Sequence, residues 1–304
     1  MLVQTMRTTV GAAVAALLLA SCTIVEDLTD AATDPSPSAP SSTPAEEATP
    51  TQESGPTSSP TGKPSKPPRL PQEAQPPPAK GCYRLDIEAA TRPTDDSRPV
   101  PCRKRHTAQT VHVGRLDTVV DGHLLAVDSR LAQRQVERGC PRALDRFLGG
   151  TEETRRLSRL VAVWFSPTIE QSDLGASWYR CDAVALAGPE KLAPLPPPRR
   201  LKGILDRSDA LDEIGLCGTT APGESGFERV ICARRHTWQA ISTIDISGSA
   251  YPGVAAVREA GESTCRDQVR EATGSPERFS YGWEWPTRDQ WRSGQRYGYC
   301  WAPD

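Results

Sequence analysis

The chain has few aromatic residues. Phe, Trp and Tyr make up 6% of its 304 residues, so no aromatic-rich core is expected. It also has little excess charge, with 36 Lys and Arg against 38 Asp and Glu. Over residues 81–304 thirty acids meet thirty-one bases, which argues against a nucleic-acid partner or a broad basic membrane footprint. Beyond the first twenty residues no apolar run is long enough to span a bilayer. A Ser nucleophile elbow, a phosphate-binding loop and HExxH are all missing, which removes the commonest signatures of hydrolases and nucleotide enzymes.

What is present is strongly segmented. Residues 1–21 carry one cation, Arg7, then an apolar run from Val10 to Ala20, as a secretory signal does. The run ends in Leu19-Ala20-Ser21-Cys22, which resembles a bacterial lipobox. That resemblance implies a diacylated Cys22 at the mature N-terminus, and two acyl chains hold a protein stably on a bilayer. Residues 22–80 then form a Pro/Ser/Thr-rich tether; 14 of the 29 prolines fall within residues 31–80. Such a composition buries too little apolar surface to offset chain entropy, so disorder is expected, with a coil reach of about 40 Å.

Nine cysteines remain to be placed. With Cys22 set aside for lipid, four fall before the Pro-rich stretch 188–202 (Cys82, Cys102, Cys140, Cys181) and four after it (Cys217, Cys232, Cys265, Cys300). An exported chain oxidises its thiols by default. Four cysteines allow three pairings, so connectivity stays open. Chain order suggests Cys82–Cys102, Cys140–Cys181, Cys217–Cys232 and Cys265–Cys300.

The two sets of four lie in a repeat. CRKRHTAQ (102–109) matches CARRHTWQ (232–239), and CPRALDRFLG (140–149) matches CRDQVREATG (265–274). WFSPTIEQSDLGASWYRC (164–181) matches WEWPTRDQWRSGQRYGYC (283–300) without a gap. Three blocks in the same order indicate tandem duplication. The segments after each Cys-His block are β-branched enough for strands. Val127, Leu131, Val136, Cys140 and Leu144 recur near helical spacing, as Val254, Val257, Ala260, Cys265 and Val269 do more loosely. Gly149 and Gly274 stand where C-caps belong. Pro167-Thr168 and Pro286-Thr287 start a short turn or helix, with Pro at its first position. The expected fold is α+β: two disulfide-stapled modules, 81–187 and 203–304, each a small antiparallel sheet with one main helix in the order β-α-β-β.

In this order the motifs resemble the septum-formation-related domain of actinobacterial envelope proteins, in two copies. The resemblance covers Cys82, Cys102, His106, Gln109, Cys140, Pro167, Gly175 and Cys181. In the second copy it covers Cys217, Cys232, His236, Gln239, Cys265, Pro286, Gly294 and Cys300. It implies an extracytoplasmic position behind a membrane anchor and a link to division.

The chemistry expected of these residues is modest. Zinc ligation or a Cys-His nucleophile needs free thiolates, which a full set of bridges would not leave. No metal and no cofactor are expected. Glu170 and Asp289 recur, as do Glu137 and Glu262, but acids early in a helix suit its positive end. His106 and His236 are read as structural, each satisfying a nearby carbonyl while Thr107 or Thr237 closes the turn. His112 and His123 have no counterpart and read as surface or pairing residues. Lys104-Arg105-His106 and Arg234-Arg235-His236 are candidate sites for phosphate or carboxylate groups. The resulting expectation is a non-catalytic binding or scaffolding protein, lipid-anchored on the extracytoplasmic face. Its partners would be the membrane, through the anchor, and cell-wall polymer or division proteins. The alternatives are an envelope hydrolase using the recurring carboxylates, or a ligand-capture lipoprotein with an apolar cleft between its modules.

Overall fold

The computed structural model describes residues 75–274 and 279–304. The signal segment, Cys22 and most of the tether lie outside the described residues.

The first module opens with strand β1 (Cys82–Tyr83), helix α1 (Ile87–Thr91), strand β2 (Ala108–Arg115) and a two-stranded hairpin, β3 (Val119–Val120) with β4 (His123–Leu124). Helix α2 (Arg130–Leu148), α3 (Glu152–Arg156), β5 (Leu160–Phe165), α4 (Ile169–Asp173), β6 (Trp178–Gly188) and β7 (Lys191–Ala193) follow. After α5 (Pro198–Leu201) and α6 (Ala210–Ile214), the second module has β8 (Leu216–Gly218), β9 (Arg229–Ile231) and β10 (Trp238–Asp245). It ends with α7 (Val254–Thr273), β11 (Gly282–Glu284), α8 (Arg288–Arg292) and β12 (Tyr297–Pro303).

The two sheets have the same topology. One runs β1-β2-β6-β5 and the other β8-β10-β12-β11, all antiparallel, with β7 and β9 as additions. Registers coincide. Cys82 faces Gln109 as Cys217 faces Gln239, and Trp164 faces Cys181 as Trp283 faces Cys300. Even the irregularity is duplicated: the register of β2 on β6 shifts between Thr110 and His112, and that of β10 on β12 between Ala240 and Ser242.

Each main helix packs on one face of its sheet. Ala132, Val136, Cys140, Ala143, Leu144 and Leu148 form the buried stripe of α2, and Val257, Gly261, Cys265 and Val269 that of α7. Three expected core positions face water instead: Leu131 is 50% and Val254 62% exposed, and Ala260 is exposed as well. Leu131 and Val254 lie in the first turn of their helices, and Ala260 lies beside the buried Gly261. Ser129 caps α2 through the Ala132 N–H, and Gly149 and Gly274, both at positive φ, end the two helices. Thr168 and Thr287 occupy the N-cap of α4 and α8, with reciprocal bonds to Gln171 and Gln290. The preceding prolines therefore sit just outside these helices rather than at their first position, because Thr supplies the capping oxygen.

The bridges are Cys82–Cys102, Cys140–Cys181, Cys217–Cys232 and Cys265–Cys300. The first and third tie each Cys-His block to β1 or β8; the second and fourth pin each main helix to β6 or β12. Each is worth about 2–4 kcal/mol in chain-entropy terms.

The segment 188–202 is packed rather than a loose linker. β7 pairs with β6, and Leu192, Leu195 and Leu201 are buried. Leu195 and Leu201 join Leu144, Leu148 and Leu160 of the first module and Ile214 and Ile231 leading into the second. Conversely, Leu157 packs with Trp301 and Tyr299 of the second module. Arg159 crosses the same junction, donating from its side chain to the Leu186 and Arg229 carbonyls. Burial, with repulsion from Arg229, lowers its pKa to about 10, which still leaves it charged at neutral pH. The two sheets thus share core side chains. Filled in this way, the junction is not the apolar cleft that the ligand-capture reading needed.

Candidate functional site

The duplicated Cys-His blocks fold alike. The His106 ring donates from Nδ1 to the Lys104 carbonyl at 2.8 Å, and His236 donates to the Arg234 carbonyl at 2.6 Å. Thr107 Oγ1 donates to the Leu85 carbonyl, and Thr237 Oγ1 to the Thr219 carbonyl. Each imidazole therefore braces its own turn. His106 is buried and its Nε2 has no protein partner, whereas His236 Nε2 lies 3.4 Å from the Asp304 carboxylate. This corrects the grouping of His106 with Lys104 and Arg105: a ring 1% exposed does not reach a solvent anion.

The basic residues behave differently. Lys104, Arg105, Arg234 and Arg235 are exposed, and among the described residues none of the four enters an ion pair. The fold brings both blocks to the β6–β7 hairpin. The Leu195 N–H bonds the His106 carbonyl just beyond β7, β7 pairs with the C-terminal end of β6, and Arg234 donates to the Ala187 carbonyl there. Arg84, which donates to the Arg105 carbonyl, and Lys191 are exposed at the same end. Two blocks separated by 130 positions in the chain thus build one cationic surface.

A second charged cluster was missed in the sequence. Arg180 is buried between Asp95 (2.6 Å) and Asp182 (2.9 Å), and its guanidinium lies over the rings of Tyr83 and Phe165. Burial raises the Asp182 carboxyl to about 6 against the pull of Arg180. The Asp95 carboxyl is lowered: hydrogen bonds from Ser97 and Arg180 outweigh its burial. Tyr83 is raised, mainly by burial. This cluster lies on the sheet face opposite α2, since its strand neighbour Cys181 points to the helix. The signal was Arg180-Cys181-Asp182, with charges on both sides of a buried strand cysteine.

Between the main helix and the strand beside it, each module has a cleft. In the first module its volume is about 330 Å³, with Gln133, Ala162, Val163 and Trp164 on its walls. The residues at the matching places in the second module are Arg258, Tyr281, Gly282 and Trp283, and the volume is about 780 Å³. Glu224, Glu262, Glu284 and Trp285 complete that wall. Tyr281 donates to Glu262 at 2.7 Å, and the Arg258 guanidinium lies 5.1 Å from the Trp285 ring centre. The Glu262 carboxylate holds the Tyr281 hydroxyl above its ordinary pKa.

The recurring carboxylates do not come together as a catalytic pair. Glu170 is exposed in the first turn of α4, where its own backbone N–H and Thr168 hold it below the usual range. Asp289 is exposed beside Arg292, Glu137 is exposed on α2, and Glu262 faces the cleft. His112 meets the Tyr179 hydroxyl at 3.3 Å, and His123 is exposed in β4. All eight cysteines of the described residues are in bridges. No described helix is long and apolar enough to cross a membrane.

A protein-family model described as septum formation matches residues 52–172 and again 153–300, well over half of the chain. The two matches overlap at 153–172, where β5 is a strand of the first sheet. No curated protein and no solved structure matches the chain.

Proposed function

The chain belongs to the septum-formation family, and we propose that it serves septum formation as an exported, lipid-anchored binding protein without catalytic activity. The observation that carries this reading is the cationic surface. Both Cys-His blocks deliver exposed, unpaired cations to one end of β6, on a unit held by four disulfides. Guanidinium groups grip phosphate and carboxylate through paired N–H donors, so an anionic wall polymer or an acidic segment of a division protein fits this surface. The disulfides support an oxidising, extracytoplasmic setting. The lipobox-like Leu19-Ala20-Ser21-Cys22 supports a membrane anchor.

Two measurements test the proposal. Changing Cys22 to Ser should release the protein into the medium; retention at the membrane refutes the anchor. Reversing Arg105 and Arg235 to Glu should weaken retention on purified anionic wall polymer at least tenfold and make the remainder insensitive to salt. Unchanged binding rejects the cationic surface as the contact.

A further inference from the structure

We propose that the cleft of the second module, between α7 and β11, binds a neutral saccharide. The site is separate from the cationic surface, and the inference does not depend on that surface being used.

Three observations converge on this ligand class. The first is size. About 780 Å³ falls within the range of ligand pockets, roughly 300–1,000 Å³. The matching cleft of the first module has less than half that volume. The second is the wall. Trp285 and Tyr281 are half-buried in a chain that has few aromatics, and they replace Ser166 and Ala162 of the first copy. A half-exposed aromatic ring offers a flat apolar face with a polar edge, which suits the C–H face of a pyranose. The third is the mixture of charge. Glu224 and Glu262 supply acceptors, and Arg258 supplies donors, around the same space. A cationic ligand would meet Arg258, and an anionic one would meet two glutamates. A ligand that is neutral yet rich in both donors and acceptors uses all three. Hydroxyl groups of a sugar have that character.

The cleft is also preorganised. Glu262 is oriented by the Tyr281 hydroxyl at 2.7 Å, and Glu284 of β11 is held by Arg229 and by the Trp301 N–H at 3.1 Å. The Cys265–Cys300 bridge fixes the helix that carries Arg258 and Glu262 to the sheet. Side chains ordered before binding lose less entropy on binding.

The test is isothermal titration of the full chain with soluble wall glycan strands, with maltohexaose and cellohexaose, and with hexalysine as a cationic probe. Saturable binding of at least one glycan is expected. Trp285→Ala and Glu262→Gln should each weaken it tenfold or more without changing the melting temperature by more than a few degrees. The Arg105 and Arg235 reversals should leave it unchanged, which separates this site from the cationic surface. If no glycan saturates, or if neither cleft variant weakens a glycan that does, the proposal is wrong. Binding of hexalysine that depends on Glu262, with no glycan bound, would instead assign the cleft to a cationic peptide. Trp285 packs against the core of the second module, so its variant is read beside Glu262→Gln, which preserves shape.

Discussion

The two modules share strand order, bridges, capping boxes and a displaced register, yet they place charge on different strands of the same sheet face. In the first, the ions stand on β6: Arg180 and Asp182 flank Cys181, and the neighbouring strand contributes Phe165. In the second, the residues flanking Cys300 are Tyr299 and Trp301, and the acid is Glu284 at the place of Phe165, paired with Arg229 of β9. Aromatic and ion have exchanged strands. Each guanidinium still lies over an aromatic ring, Arg180 over Tyr83 and Phe165, Arg229 over Tyr299. A duplicated scaffold thus conserves the contact type while the residues that make it have changed. The difference in burial is large. Arg180 and its partners are at most 3% exposed in their side chains, whereas Arg229 and Glu284 are 26% and 23% exposed.

That difference sets the largest expected effect. Arg180→Met leaves Asp95 and Asp182 buried without a counter-charge and should cost about 3–5 kcal/mol. Arg229→Met leaves Glu284 partly hydrated and still bonded to the Trp301 N–H, and should cost about 1 kcal/mol. Denaturant unfolding of both variants checks the comparison; equal losses would mean that burial does not separate the two clusters.

A second exchange concerns the tryptophan beside each last cysteine. Trp283 is buried between two glycines: a Cβ at Gly261 or at Gly298 would come to 2.2 Å from its ring. In the first module Val136 and Tyr179 hold those places, and Trp164 stays half-exposed. Glycine inside α7 costs helix stability, and the recess for the indole offsets it. Gly261→Val should therefore destabilise by about 1–3 kcal/mol despite the better helix former. It should also redshift the tryptophan emission as Trp283 is pushed outward. The reverse change, Val136→Gly, should lose about 2–4 kcal/mol, because the helix cost of glycine adds to the packing of a fully buried side chain. A neutral Gly261→Val would show that the indole has room to move.

The sequence disclosed what repeats. Cysteine spacing, the Cys-His blocks and Thr-x-x-Gln were visible twice, and duplication made weak signals strong. It hid what differs between copies, because those features arise from strand register. Asp95 meets Arg180 across 85 positions, and Tyr281 reaches the cleft only because β11 lies against α7. The Pro-rich stretch 188–202 looked like a spacer by composition. Its leucines, spaced between prolines, are what the shared core required. Leu131, Val254 and Ala260 show the converse error, since apolar spacing alone does not fix which positions the sheet covers.

The last expected effect is a pH dependence that belongs to one module. Asp182 has a folded-state pKa near 6, raised by burial above its unfolded value of about 4. The folded protein then binds more protons than the unfolded chain between these values, so stability falls as pH rises through that window. Asp95 acts in the other direction: its folded value is lowered, so its contribution is present above the unfolded pKa and fades only below about pH 4. Tyr83 titrates far above both, and Arg180 stays charged throughout. Between pH 4 and 6 the Asp182 contribution should therefore lower stability by an amount on the order of 1–3 kcal/mol, with other carboxylates superposed. Asp182→Asn removes the proton site while keeping the shape. The difference between wild type and Asp182→Asn in unfolding free energy should change across pH 4–6 and be flat above pH 7. The second module has Trp301 at the same place and no buried carboxylate beside it on β12. A parallel pair of curves for wild type and Asp182→Asn would mean that Arg180 keeps Asp182 ionised in the fold, and that the first module stores a full ion triad rather than a protonated acid beside a single pair.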